Sequence, residues 1–172
     1  SPNRTENLVL MGSLAAARKP QSPPGYPVVP GIWKLHGQQP GLPTNDLEPL
    51  RRMESEGWTV ERLPVTGEGG IDPSILPAAM TAGVALVTVM LAQNETGALM
   101  PVAQAGAAAH AAGALVHTDA AQAVGKIPVR VDDLGVDLLS IAGHKVNAPK
   151  GVGALYVRRG TPIRPVVLGA SQ

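Results

Sequence analysis

The chain has 172 residues, a net charge of +1, 44% hydrophobic residues and no cysteine. That length suits one domain with a sizeable core. The near-zero charge gives no electrostatic ground for a nucleic-acid partner or an anionic membrane surface. Without cysteine, disulfides, thiolate metal sites and a thiol nucleophile from these residues are excluded.

The first 45 residues read as an irregular N-terminal segment. "ENLVLMGSLAAARK" has a helical pattern, but the next 24 residues, "PQSPPGYPVVPGIWKLHGQQPGLP", carry seven prolines. Proline fixes φ and removes a donor, so a long irregular loop is expected there and a central strand is not. "SPNRTENLVLMG" lacks the pattern of a secretion signal, and no stretch reaches the roughly 18 apolar residues that span a bilayer. The expectation is a cytoplasmic protein with no membrane partner.

Residues 46–172 alternate in period. "DLEPLRRMESEGW" predicts a helix with Asp46 as N-cap and Gly57 past its end, "TVERLPV" a strand, and "DPSILPAAM" a short helix limited by Pro77. "VALVTVML" is a continuous β-branched run, as in a strand covered on both faces. "PVAQAGAAAHAAG" predicts an Ala-rich helix between Pro101 and Gly113. "ALVHTD" predicts a strand, "VDDLG" a helical turn, and "VDLLSIAG" and "GALYVRR" two more strands, the last pair antiparallel because only a loop joins them. This order predicts an α/β fold, a largely parallel sheet with helices on both faces.

Polar clusters follow three of these strands: "AQNETG", "TDAAQ" and "GHK". Ligands of open α/β sheets gather beyond the carboxyl ends of the strands. Adjacent strands would bring Asn94, Asp119, Gln122, His144 and Lys145 to one crevice. An acid and a lysine there form either an ion pair or a cofactor site. Pyridoxal phosphate needs this set: an amine for a Schiff base, a carboxylate for the ring nitrogen and a donor at the ring hydroxyl. Taken alone, Asp119 is as readily a helix N-cap and Lys145 a surface lysine. His117 is expected to face away from Asp119 as packing, and Lys126 to be solvated.

"TVMLAQNETGALMPV", "LVHTDAAQAVGKIPV" and "VDLLSIAGHKVNAPKGVGALYVRRG" resemble the cysteine desulfurases and selenocysteine lyases of the class V aminotransferase family. The resemblance implies the fold type I large domain of a pyridoxal 5'-phosphate enzyme, with 46–172 a partial cofactor-binding domain and the small C-terminal domain absent. It implies Lys145 as the catalytic lysine and Asp119 as the partner of the ring nitrogen. By the same resemblance Gln122 is the donor to the ring hydroxyl, His144 a phosphate contact and Asn94 a group near the ring hydroxyl and substrate carboxylate. Thr5 is a further candidate phosphate contact.

The implied reaction converts L-cysteine to L-alanine and delivers sulfur to an acceptor protein for iron–sulfur clusters or thio-cofactors. The implied assembly is a homodimer. Departures from the family pattern are Pro43 where a ring-stacking histidine is usual, with His36 seven residues away, Ala142 in place of a serine, and Asn147 and Ala148 in place of Tyr and Gly. These leave two alternatives: a selenocysteine lyase or other class V enzyme acting on L-selenocysteine or another amino acid, and a truncated, non-catalytic remnant. No metal site is expected.

Overall fold

The computed structural model describes residues 32–35 as backbone, together with 54–55, 57–81, 83–149 and 151–163. Among the described residues lie the strands β1 (Ile32–Leu35), β2 (Val60–Leu63), β3 (Leu86–Met90), β4 (Leu115–Asp119), β5 (Leu138–Ala142) and β6 (Gly153–Val157) and the helices α1 (Leu76–Ala79), α2 (Val102–Ala111) and α3 (Val131–Leu134). Five strands form one sheet in the order β1-β3-β4-β5-β6. The first four run parallel and β6 is antiparallel to β5. The predicted α/β architecture and the antiparallel last pair are both observed.

The interior strand β3 is buried along its whole length, which is why its sequence lacks a polar alternation. On one face Val87, Val89, Val116 and Leu139 join a core with Ala105 and Ala109 of α2. Small residues let this helix pack closely. A β-carbon on Gly106 would stand 3.1 Å from the Leu134 carbonyl oxygen. Pro101 precedes the first residue of α2, and Gly113 ends the helix with φ 77°. Bonds from Gly113 N to His110 O (3.0 Å) and from Ala114 N to Ala109 O (2.9 Å) close a Schellman motif.

Two polar side chains lock the strand starts. Asp137, buried between β5 and α2, accepts from Val116 N and pairs with His110 Nε2, both at 2.8 Å. Arg158, just past β6, donates to Val136 O (2.9 Å), Val131 O (3.1 Å) and Asp132 Oδ1 (3.0 Å). Its bond to Asp132 raises its pKa further, so it serves as a permanent fork across the end of α3.

One expectation changes. The proline-rich segment contains β1, so it is not an unbroken loop. "IWKL" falls between Pro30 and Pro40 and is itself free of proline. Among the described residues β1 pairs with β3 and ends the sheet, a position that tolerates nearby proline. "DPSILPAAM" is the short helical segment expected: a 3-10 turn, Pro73–Ile75, followed by the single turn of α1, with Asp72 as its cap accepting from Ser74 N at 2.8 Å. Of "DLEPLRRMESEGW" only Glu54, Ser55, Gly57 and Trp58 are described, the first two helical and Gly57 with φ 88°. The proposed N-cap Asp46 lies outside the described residues.

Candidate active site

The parallel register sets the site. Met90 pairs with Asp119 and Asp119 with Ser140, so β3 and β4 end level while β5 runs two residues further, to Ala142. Strands lie about 4.8 Å apart, which places Met90 and Ser140 about 10 Å from each other with Asp119 between them. Beyond this edge come three polar segments in turn.

After β3 the backbone makes a tight loop. Leu91 N donates to Asp119 O (2.8 Å), fixing the loop to the end of β4, and Met100 N returns to Leu91 O (3.0 Å). Inside it Gln93 is buried, and its Oε1 accepts from Glu95 N, from Thr96 N (2.7 Å) and from Thr96 Oγ1 (3.4 Å). This side chain replaces solvent for the turn amides and holds Asn94 exposed at the tip.

After β4, Asp119 Oδ1 accepts from Ala121 N at 2.8 Å. Asp119 therefore does cap the following turn, while its half-buried carboxylate stays at the sheet edge. Ala120 and Ala123 are fully buried and anchor the turn. Gln122 is half-buried on its outer side and its Oε1 accepts from Lys126 Nζ at 2.7 Å.

After β5 comes a 3-10 turn, Gly143–Lys145, which exposes His144 and Lys145. Gly143 N donates to Val152 O (2.9 Å), while Val146 N (2.9 Å) and Ala148 N (3.0 Å) donate to Gly143 O. Asn147 adopts φ 62°, a left-handed conformation that asparagine accepts. Among the described residues Lys145 makes no ion pair, so its amine is not committed to a carboxylate.

Beneath this edge runs a buried polar row. Thr88 Oγ1 lies 2.6 Å from His117 Nδ1, and His117 Nε2 lies 3.2 Å from Ser140 Oγ. Burial lowers the His117 pKa from 6.5 to about 4, so the ring is neutral at pH 7. His117 and Asp119 are two residues apart on one strand and share a face. The expectation that His117 points away from Asp119 is thus wrong, although its role as a packed, hydrogen-bonded residue holds.

Asn94, Asp119, Gln122, His144 and Lys145 thus follow the carboxyl ends of three adjacent strands. Thr5, His36 and Pro43 lie outside the described residues. Gln93 and the row Thr88–His117–Ser140 are the parts that sequence reasoning missed. Their signal was polar residues at matching depths in three otherwise apolar strands. As a donor set, the carboxylate, the two amides and the uncommitted amine fit the ring of pyridoxal phosphate. Among the described residues only His144 is a candidate for its phosphate.

The Aminotransferase class-V family matches residues 45–172. A cysteine desulfurase of Trichormus azollae is 47% identical over 126 residues, which cover 73% of this chain and 32% of that relative. The cysteine desulfurase NifS of Azotobacter vinelandii is 48% identical over 120 residues, covering 70% of this chain and 30% of its own. Among solved structures, SspA in complex with cysteine superposes with a TM-score of 0.69 at 36% identity, covering 73% of this chain and 37% of that one. The chain thus spans about a third of the length of the curated relatives it matches.

Proposed function

Because this chain belongs to the class V aminotransferase family, we propose that it is part of the cofactor-binding large domain of a pyridoxal-phosphate-dependent cysteine desulfurase. The observation that supports the reading is the register Met90–Asp119–Ser140, which sets Asp119 between β3 and β5, the strands that lead to Asn94 and to His144 and Lys145. The domain division at residue 45 belongs to the same proposal, as do a cytoplasmic homodimer and a sulfur-acceptor protein as partners.

Bound pyridoxal phosphate supplies an electron sink for charge that develops at the α-carbon of an amino acid. Lys145 supplies the amine that attaches the cofactor and moves the proton at the substrate α-carbon. Asp119 accepts a hydrogen bond from the protonated ring nitrogen, and its anchorage by Ala121 N keeps the carboxylate in place. Gln122 donates to the ring oxygen. Asn94 binds near that oxygen and the substrate carboxylate, and His144 and Thr5 bind the phosphate. Sulfur transfer needs a thiolate, and with no cysteine in these residues the thiol comes from outside them.

The test is an absorbance titration of the protein with pyridoxal phosphate. The reading expects a long-wavelength band that saturates and is lost in Lys145→Ala; a band of equal strength in the variant overturns it. Ala142, apolar where a serine is usual, favours selenocysteine lyase as the second reading. Release of selenide from L-selenocysteine without sulfide from L-cysteine, by the full-length protein, would select it.

A further inference from the structure

Four residues beyond Gln122 stands Lys126, an exposed lysine that the reaction does not require. Its ammonium donates to Gln122 Oε1 at 2.7 Å. An ammonium has three donors and no acceptor, so only the oxygen of the carboxamide can face it. That resolves the two-fold choice an amide otherwise leaves open and turns the Gln122 NH2 away from Lys126. The backbone holds this spacing: Val124 N bonds to Ala120 O (3.0 Å), and Lys126 N and Ile127 N both bond to Ala123 O (3.0 Å). Ala120 and Ala123 are fully buried, so the turn is clamped to the core on the side away from the pair. Among the described residues Lys126 forms no ion pair, leaving the Gln122 oxygen as its acceptor there.

We propose that Lys126 is a positioning residue, which selects the amide orientation of Gln122 so that its NH2 is the group offered to the oxygen of the cofactor ring. The inference rests on the cofactor reading above and adds to it the group that sets the direction of the hydrogen bond. Without Lys126 the carboxamide rotates between two orientations, one of which points its oxygen at an oxygen that carries negative charge. A cation on the far side of the amide also polarises its N–H groups and strengthens their donation. Donation to the ring oxygen stabilises its anion, and so lowers the pH at which the long-wavelength form of the bound cofactor gives up its proton.

The experiment compares the protein with Lys126→Met and Lys126→Arg variants by absorbance titration with pyridoxal phosphate, followed by a pH titration of the bound chromophore. Lys126→Met is expected to raise the midpoint by on the order of half a pH unit. Lys126→Arg, which also only donates, is expected to restore it. The side-chain NH2 resonances of Gln122, assigned through Gln122→Glu, should move in Lys126→Met without cofactor. A midpoint and resonances unchanged in Lys126→Met overturn the proposal while leaving the cofactor reading intact. Absence of any Lys145-dependent band in the unmodified protein overturns both. A fall in thermal stability with no change of midpoint assigns Lys126 a structural part only, and also overturns it.

Discussion

Gly143 connects β5 to the turn that carries His144 and Lys145, and its replacement by alanine should break both the turn and the cofactor site. A β-carbon there would stand 2.6 Å from Val152 O, 3.1 Å from the Ala148 β-carbon and 3.2 Å from Val152 C. Carbon and oxygen approach without strain to about 3.3 Å, so the backbones must part by about 0.7 Å. Val152 O is also the acceptor of Gly143 N at 2.9 Å; parted by that much, the bond lengthens to about 3.6 Å and is lost. Overpacking at about 1–3 kcal/mol and the broken bond at about 1 kcal/mol sum to about 2–4 kcal/mol. For a domain of this size that lowers Tm by roughly 4–16 °C. Urea unfolding followed by circular dichroism reads the stability, and titration with pyridoxal phosphate reads the displacement of Lys145. Gly151 provides the control: its φ is 85° but a β-carbon there meets nothing within 4 Å. Gly151→Ala should cost only about 1–2 kcal/mol of backbone strain and leave the titration unchanged. If Gly143→Ala unfolds at the wild-type midpoint and titrates normally, the close contact with Val152 does not govern the turn.

Two further outcomes follow from the buried polar groups. His117 stays neutral until about pH 4 in the folded protein but protonates near 6.5 when unfolded. The unfolded chain therefore binds the extra proton between those values, and stability falls as pH drops from 6.5 toward 4, by up to about 3 kcal/mol from this group, then levels off. Plots of unfolding free energy against pH for wild type and His117→Gln should diverge in that window; parallel plots refute the assignment. Gln93→Leu removes the acceptor shared by Glu95 N, Thr96 N and Thr96 Oγ1, leaving the turn amides to solvent at a cost of about 1–3 kcal/mol. Faster hydrogen exchange at Glu95 and Thr96, with β4 unaffected, is the expected signature; unchanged exchange at both removes Gln93 from its bracing role.

Local chemistry in the chain was enough to define the strands from residue 60 onward, the Ala-rich helix and its stop at Gly113, and the antiparallel last pair. Each of these rests on a pattern within a few residues: the β-branched run of β3, the glycine that alone is at ease with a left-handed φ, and a connection too short for a crossover. The same locality explains the miss at β1. Counting prolines across 24 residues hid four proline-free ones whose strand conformation depends on pairing with β3, more than fifty positions away.

The candidate site divides in the same way. Asn94, Asp119, Gln122, His144 and Lys145 were legible as residue types at strand ends, and the resemblance of three motifs gave them roles. Their arrangement was not, because register is a property of hydrogen bonds between strands: only the pairing of Met90, Asp119 and Ser140 sets Asp119 between β3 and β5. Tertiary structure alone also decided that Thr88, His117 and Ser140 bond across three strands, that Gln93 braces the loop of Asn94, and that Lys126 faces the oxygen of Gln122. Sequence can list donors and acceptors, but which of them meet depends on folding: Thr88 and His117 are 29 residues apart and His117 and Ser140 23, while the short-range bonds of Gln93 and Lys126 depend on how their turns are held.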